Sequence, residues 1–184
     1  MEKKKVESYR LLVSQVKGLA EGETDDIGVM ANVAAAIHQT MGFLWTGFYR
    51  VVGDELWLGP FQGPVACYRI PYGRGVCGTA WARGESVVVP DVEQFPCHIA
   101  CSSLSRSEIV VPVKSADGTV LAVLDIDSQH LATFDETDRI FLEEICGQLA
   151  EVMEGKVKTT PMDVKTKPMF DKTKAMFDKT KALF

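Results

Sequence analysis

Between Val123 and Ser128 the chain alternates two aspartates, Asp125 and Asp127, with two aliphatic residues, Leu124 and Ile126. In an extended strand alternate residues share a face, so the carboxylates project together and the aliphatic side chains project the other way. Like charges side by side are poor strand formers. A sheet with one wet face would tolerate them, but the flanking residues are apolar on both sides and point to a largely buried strand. Ser107–Pro112 reads as another strand and carries Glu108. Buried carboxylates need a cationic partner or a shared proton. A small ligand with an ammonium group would supply the first, and a general acid would exploit the second.

Cys67, Cys77 and Cys101 fall in the stretch that leads to this strand. Cys67 sits in Val65-Ala66-Cys67-Tyr68-Arg69-Ile70-Pro71, which reads as a short strand running into a turn. Cys77 lies in Gly73-Arg74-Gly75-Val76-Cys77-Gly78-Thr79-Ala80, where glycines permit a tight turn before a short helix. Cys101 closes Phe95-Pro96-Cys97-His98-Ile99-Ala100-Cys101, part of a long connection from Asp91 to Ser107, and long connections are often functional. The pattern reads as a carboxylate pocket beside a thiol cluster.

Composition narrows the class. A chain of 184 residues suits one globular domain plus an extension, and a net charge of −5 argues against a nucleic-acid groove. The charged start, Met1-Glu2-Lys3-Lys4-Lys5, has no apolar stretch behind it and does not read as a signal peptide. No segment approaches transmembrane length, so no membrane partner is expected. Five cysteines in a chain without an export signal point to reduced thiols in the cytoplasm rather than to a disulfide framework.

Taken in order, Val6, Tyr9, Leu12, Val13, Val16 and Leu19 give a helical period over 3–20, ending at Gly22. Asp25 and Asp26 cap a second helix over 26–40 with Val29, Val33, Ala36 and Ile37 inward, and His38 near its end. Strands follow over 43–52 and 56–60 around a Gly53-Asp54 turn. Trp45 and Tyr49 share a face of the first; they are core aromatics or the rim of a small-ligand pocket. Trp81 reads as packing, and 86–90 as a short strand. Thr133 and Glu136 are placed for a capping box on a closing helix whose core positions are Ile140, Phe141, Ile145, Leu149 and Val152, with Cys146 as a core thiol.

From residue 155 the composition changes. Lys165-Thr166-Lys167-Pro168-Met169-Phe170-Asp171 recurs as Lys172-Thr173-Lys174-Ala175-Met176-Phe177-Asp178, and a partial copy ends at Phe184. The seven-residue period puts Met169/Phe170, Met176/Phe177 and Leu183/Phe184 on one helical stripe with lysines opposite. Such a tail, 155–184, could dock on the domain, pair subunits into a homodimer, lie on an acidic membrane surface or stay weakly helical. Residues 1–154 form the domain itself: an α+β layered fold, a central antiparallel sheet with helices on its faces.

Six separated segments carry a resemblance: Gly59-Pro60-Phe61-Gln62-Gly63, Arg69-Ile70-Pro71, Gly73 to Ala80, His98-Ile99-Ala100-Cys101, Ser107-Glu108-Ile109-Val110 and Leu124-Asp125-Ile126-Asp127-Ser128. With their spacings over residues 1–153, they resemble the free methionine-(R)-sulfoxide reductases, small cytosolic enzymes built on a GAF domain. The resemblance implies that Cys101 attacks the sulfoxide sulfur and becomes a sulfenic acid as methionine leaves. It implies that Cys67 then resolves this to a disulfide, with Cys77 accessory. A thioredoxin-type dithiol would restore the thiols without any other cofactor. Glu108, Asp125 and Asp127 would hold the substrate amine and help protonate the sulfoxide oxygen, and Trp45 and Tyr49 would enclose its methyl-sulfoxide end.

Two positions depart from that pattern: Cys97 stands where the family has glycine, and Ser102 where it has aspartate. Each bears on the loop around Cys101, and Cys97 offers a second candidate partner for that thiol. Two other classes compete. A GAF domain that senses a small ligand without turning it over would not need the thiols. A zinc site from Cys97, His98, Cys101 and either Cys67 or Cys77 fits no strong zinc spacing, so no metal is expected.

Overall fold

A computed structural model of the chain describes residues 2–96, 99 and 102–155. The expected repeat tail beyond Gly155, together with Cys97, His98 and Cys101, lies outside the described residues. Two helices, α1 (Glu2–Ala20) and α2 (Asp26–Met41), precede the strand pair β1 (Trp45–Val52) and β2 (Glu55–Gln62). After these come β3 (Arg69–Pro71), α3 (Gly75–Arg83), β4 (Val87–Val89) and a single 3-10 turn at Val92–Gln94. The long strands β5 (Ser107–Lys114) and β6 (Val120–Ser128) and the closing helix α4 (Glu136–Met153) complete the described fold. All strand pairs are antiparallel, in the order β3-β2-β1-β6-β5-β4.

The sheet has two covered faces. Leu124, Ile126, Ile109, Val111 and Phe48 point to one core, shared with α1, α2 and α4. Val123, Val110 and Tyr49 point to the other, which holds the α3 residues Cys77 and Ala80. Strand alternation therefore sends Leu124 and Ile126 under the long helices and Asp125 and Asp127 toward α3, as the sequence pattern requires.

The long helices follow their apolar periods closely. Asp25 caps α2, its side chain accepting from Ile27 N, and Gly42 ends it in the left-handed conformation, its N–H donating to His38 O. Three local expectations change. Cys67 does not lie on a strand, because β3 pairs with β2 over only three residues and the chain from 63 to 68 forms a loop. The cap of α4 is Asp135, not Thr133: Asp135 accepts from Thr137 N and Asp138 N, while the Asp138 side chain accepts from Asp135 N. Thr133 instead closes the preceding loop, its hydroxyl on Ser128 Oγ and His130 O. Ile140 is 49% exposed, because the buried stripe of α4 runs through Asp138, Leu142, Ile145, Cys146 and Leu149, and Ile140 stands about 200° from Leu142.

Asp138 also ties α1 to α4. It is fully buried, accepts from Tyr9 OH at 2.7 Å and pairs with Lys5 Nζ at 2.5 Å. Tyr9 stacks on Phe141 beside it, ring centres 5.3 Å apart. Removing the acceptor strands a buried hydroxyl and an ammonium group. Asp138→Ala is expected to cost about 3 kcal/mol and lower the melting temperature by roughly 6–12 °C. Calorimetry checks this; an unchanged transition would show that the network is not what joins the helices.

Candidate active site

The register of the sheet assembles the site. Glu108 of β5 stands opposite Asp127 of β6, and Asp125 stands opposite Gly47 of β1. Trp45 pairs with Asp127, and Tyr49, opposite Val123, follows Gly47 on the same face. α3 covers this face and brings Cys77 Sγ to 4.0 Å from Glu108 Oε1. Cys77 Sγ and one oxygen each from Glu108 and Asp125 lie within 4.8 Å of one another, all buried. Such a donor set suits a cation, which here means an ammonium group or shared protons as readily as a metal. Of the zinc ligands considered from sequence, Cys67 is disulfide-bonded and is no thiolate donor in this state.

Two small cavities meet at these carboxyl groups. The first, about 30 Å³, is lined by Cys77, Ile99, Ser105 and Glu108, and the second, about 20 Å³, by Leu44, Trp45, Tyr49 and Pro64. Ser102, Asp125 and Asp127 line both, so a polar chamber and an aromatic one share the aspartates as a common wall. The aromatic wall is itself tied down. Trp45 Nε1 donates to Pro64 O at 3.0 Å, and its ring stacks on Tyr49 at 5.9 Å and Phe61 at 5.4 Å. The Tyr49 hydroxyl donates to Cys67 O at 3.1 Å, which joins this wall to the loop that carries Cys67.

Gly47 makes the wall possible. A Cβ there would meet Phe61 Cβ at 2.4 Å and the Trp45 ring at 2.5 Å, so only glycine lets the indole lie back over the strand. Gly78 does the same for α3, where a Cβ would fall 2.6 Å from Pro71 O. Of the residues expected from sequence, Trp45, Tyr49, Cys77, Glu108, Asp125 and Asp127 come together here, with Cys67 at the edge through Tyr49. Cys101 lies outside the described residues. Sequence reading missed Gly47 and Ser105. The first is signalled by a glycine between two aromatics on one strand face. The second lies in a loop with no period to reveal it.

Burial sets the electrostatics. Asp125 is 7% exposed and its Oδ1 has no hydrogen-bond partner among the described residues. Burial, and then the neighbouring Asp127 carboxylate, push Asp125 well above the usual carboxylate range, and burial and then Asp125 do the same to Glu108. Asp127 is raised less, to about 6: burial lifts it, while the Ser105 hydroxyl, which donates to its Oδ1, pulls it down. Burial and then the Asp125 charge raise the Cys77 thiol, which holds it protonated and a poor nucleophile. The site therefore contains proton-holding carboxyls next to one that ionises near neutrality.

The GAF domain family model matches residues 27–153. A free methionine-R-sulfoxide reductase from Escherichia coli is 42% identical over 150 residues, covering 81% of this chain and 90% of its own. GAF domain-containing protein A of Dictyostelium discoideum is 53% identical over 142 residues, covering 77% of this chain and 89% of its own. The crystal structure of a free methionine-R-sulfoxide reductase from Neisseria meningitidis, in complex with its substrate, superposes with a TM-score of 0.77 at 54% identity. It covers 79% of this chain and 88% of that one. The chain belongs to the free methionine-(R)-sulfoxide reductase family of GAF domains. In this reductase-family GAF domain Glu108, Asp125 and Asp127 interrupt an otherwise apolar core on the α3 face of the sheet. No helix among the described residues is long and apolar enough to cross a membrane.

The raised Asp127 makes the site a pH-dependent cost to the fold. Its folded pKa of about 6 exceeds the ordinary 3.8, so the folded state holds the proton more tightly. That stabilisation is fully present below the ordinary value and is lost as pH rises through about 6. Asp127→Asn is therefore expected to raise the melting temperature at pH 7.5, with the gain vanishing by about pH 4. Scanning calorimetry across that range checks it, and a gain independent of pH would contradict the assignment.

Proposed function

We propose that the chain reduces free methionine-(R)-sulfoxide to methionine, through the thiols of Cys101 and Cys67. The observation that carries this reading is a pair of chambers that share Asp125 and Asp127, with the buried carboxyl groups of Glu108 and Asp125 and the half-buried one of Asp127 on one side and a Trp45–Tyr49 wall on the other. The ionised Asp127 carboxylate suits a free α-ammonium group, which a peptide-bound methionine lacks. The aromatic rings suit a methyl group, and the protonated carboxyls of Glu108 and Asp125 suit a sulfoxide oxygen that must take up a proton.

In the proposed reaction the thiolate of Cys101 attacks the sulfoxide sulfur. The sulfoxide S–O bond breaks and two electrons pass to the substrate, which leaves as methionine. The oxygen ends on Cys101 as a sulfenic acid, with a proton drawn from the carboxyl cluster. The Cys67 thiol condenses with it, a sulfur–sulfur bond forms and water leaves. Cys67 is disulfide-bonded while Cys77 is a free buried thiol, which supports Cys67 as the resolving residue and Cys77 as an accessory one. A thioredoxin-type dithiol closes the cycle, so no further cofactor is called for, and a reducing cytoplasm is the compartment that supplies it.

The test is a coupled assay on free (R)- and (S)-methionine sulfoxide and on the N-acetylated (R) compound. Turnover is expected for the free (R) form alone. Binding without turnover would make the domain a ligand sensor instead. Cys101→Ser is expected to abolish the reaction, since a hydroxyl cannot pass through a sulfenic acid; more than a few per cent residual rate would move the nucleophile elsewhere. Glu108→Gln is expected to lower kcat and kcat/KM together by about 10²-fold if it supplies the proton. A rise in KM alone would restrict it to binding.

A further inference from the structure

The loop that carries Cys67 presents an apolar surface that the proposed chemistry at the carboxylates leaves unused. Val65 is 87% exposed and Tyr68 is 80% exposed, one on each side of a half-buried, disulfide-bonded cysteine. Tyr72, beyond β3, is also largely exposed, its ring edge-on to Trp81 with centres 4.7 Å apart. Large apolar side chains this exposed, clustered along one short stretch of chain, mark an interaction surface rather than a stray residue.

Charge gives the surface a sign. The chain is net negative, yet residues 56–84 contain Arg69, Arg74 and Arg83 and no aspartate or glutamate. Arg69 lies over the Trp57 ring and approaches Glu55, which partly neutralises it. Arg74 is exposed at the head of α3 and leaves its side chain out of the helix cap. The Cys67 loop lies on that same side of the sheet, since its carbonyl accepts from Tyr49, a residue of the α3-facing core. An apolar rim around a disulfide with a basic flank is complementary to an acidic protein that brings a dithiol inside an apolar surface.

We infer that Val65, Tyr68 and Arg74 form the docking surface for an acidic protein dithiol that reduces the Cys67 disulfide. The inference rests on the proposed function for its disulfide partner, Cys101. A thiolate of the docked protein attacks Cys67 Sγ and the Cys67–Cys101 bond breaks. Cys101 leaves as a thiolate and takes a proton. The second thiol of the docked protein then attacks the mixed disulfide, which frees Cys67 and leaves the partner oxidised. Because Val65 borders the chamber walled by Trp45 and Tyr49, the docked protein would cover its mouth, so methionine must leave before reduction.

The test measures reduction of the oxidised full-length chain, without methionine sulfoxide, by reduced thioredoxin and separately by dithiothreitol, followed by thiol labelling. Tyr68→Asp is expected to slow thioredoxin about ten-fold, and Arg74→Glu about three-fold with a weaker salt dependence. Dithiothreitol, too small to need a docking surface, should reduce both variants at the parent rate. A thioredoxin with serine at its second cysteine should be captured on Cys67 by the parent and poorly by Tyr68→Asp. Equal thioredoxin rates in parent and variants would overturn the inference, as would equal slowing of dithiothreitol. Failure of the proposed function is read separately, as absence of methionine sulfoxide turnover with dithiothreitol present.

Discussion

Placing three carboxyl groups on the covered face of a sheet is the constraint to which the rest of the domain responds. Adjacent strands β5 and β6 hold Glu108 against Asp127, with Asp125 two residues away, and antiparallel register leaves them nowhere else to project. Their opposite neighbours, Ile109, Leu124 and Ile126, are fully buried under α1, α2 and α4. A one-residue slip would exchange acids for aliphatic residues on both faces at once. The apolar core beneath the sheet therefore fixes the acidic site above it. Placement by two central strands, rather than by loops, is what holds buried carboxyls in a geometry they would not choose.

The acids are not equivalent, and the difference comes from their surroundings. Asp125 and Glu108 face Cys77 and each other under α3, where burial favours the neutral form. Asp127 sits at the end of its strand and receives the Ser105 hydroxyl, which favours the charge. One cluster thus offers an anion and proton donors a few ångströms apart. The proposed reduction needs both at once: an anion for an ammonium group, and a proton for the oxygen leaving sulfur. Binding a cation should in turn draw further protons off the cluster, which couples occupancy to pH.

Much of this was legible in the sequence because it rests on period. Alternation in Leu124-Asp125-Ile126-Asp127 gave the facing of β6, and helical spacing gave α1, α2 and the greater part of α4. Trp45 and Tyr49 were visible as a shared strand face. What escaped depends on contacts distant in sequence. Cys67 reads as part of a strand until the three-residue ladder of β3 is seen to stop at Arg69. Thr133 and Glu136 have the right spacing for a cap, but Asp135 and Asp138 have it too, and the tie from Asp138 to Lys5 and Tyr9 selects them. Ser105 could not be singled out, because nothing local says that its hydroxyl reaches a carboxylate 22 residues away.

The thiols divide along the same lines as the acids. Cys146 lies in the core under the sheet, where burial, and then the charge of Glu143, raise it far from reactivity. Cys77 is buried among carboxyl groups, which would oppose a thiolate formed beside them and so make it a poor first nucleophile. Cys67 alone of the three is on a loop, half-buried, with apolar side chains standing out on either side. A sulfur that must meet first an oxidised cysteine and then a second protein needs reach and access, which neither the helix nor the core allows. The sheet therefore fixes the groups that recognise a small molecule, and a loop at its rim carries the one described thiol placed to exchange partners.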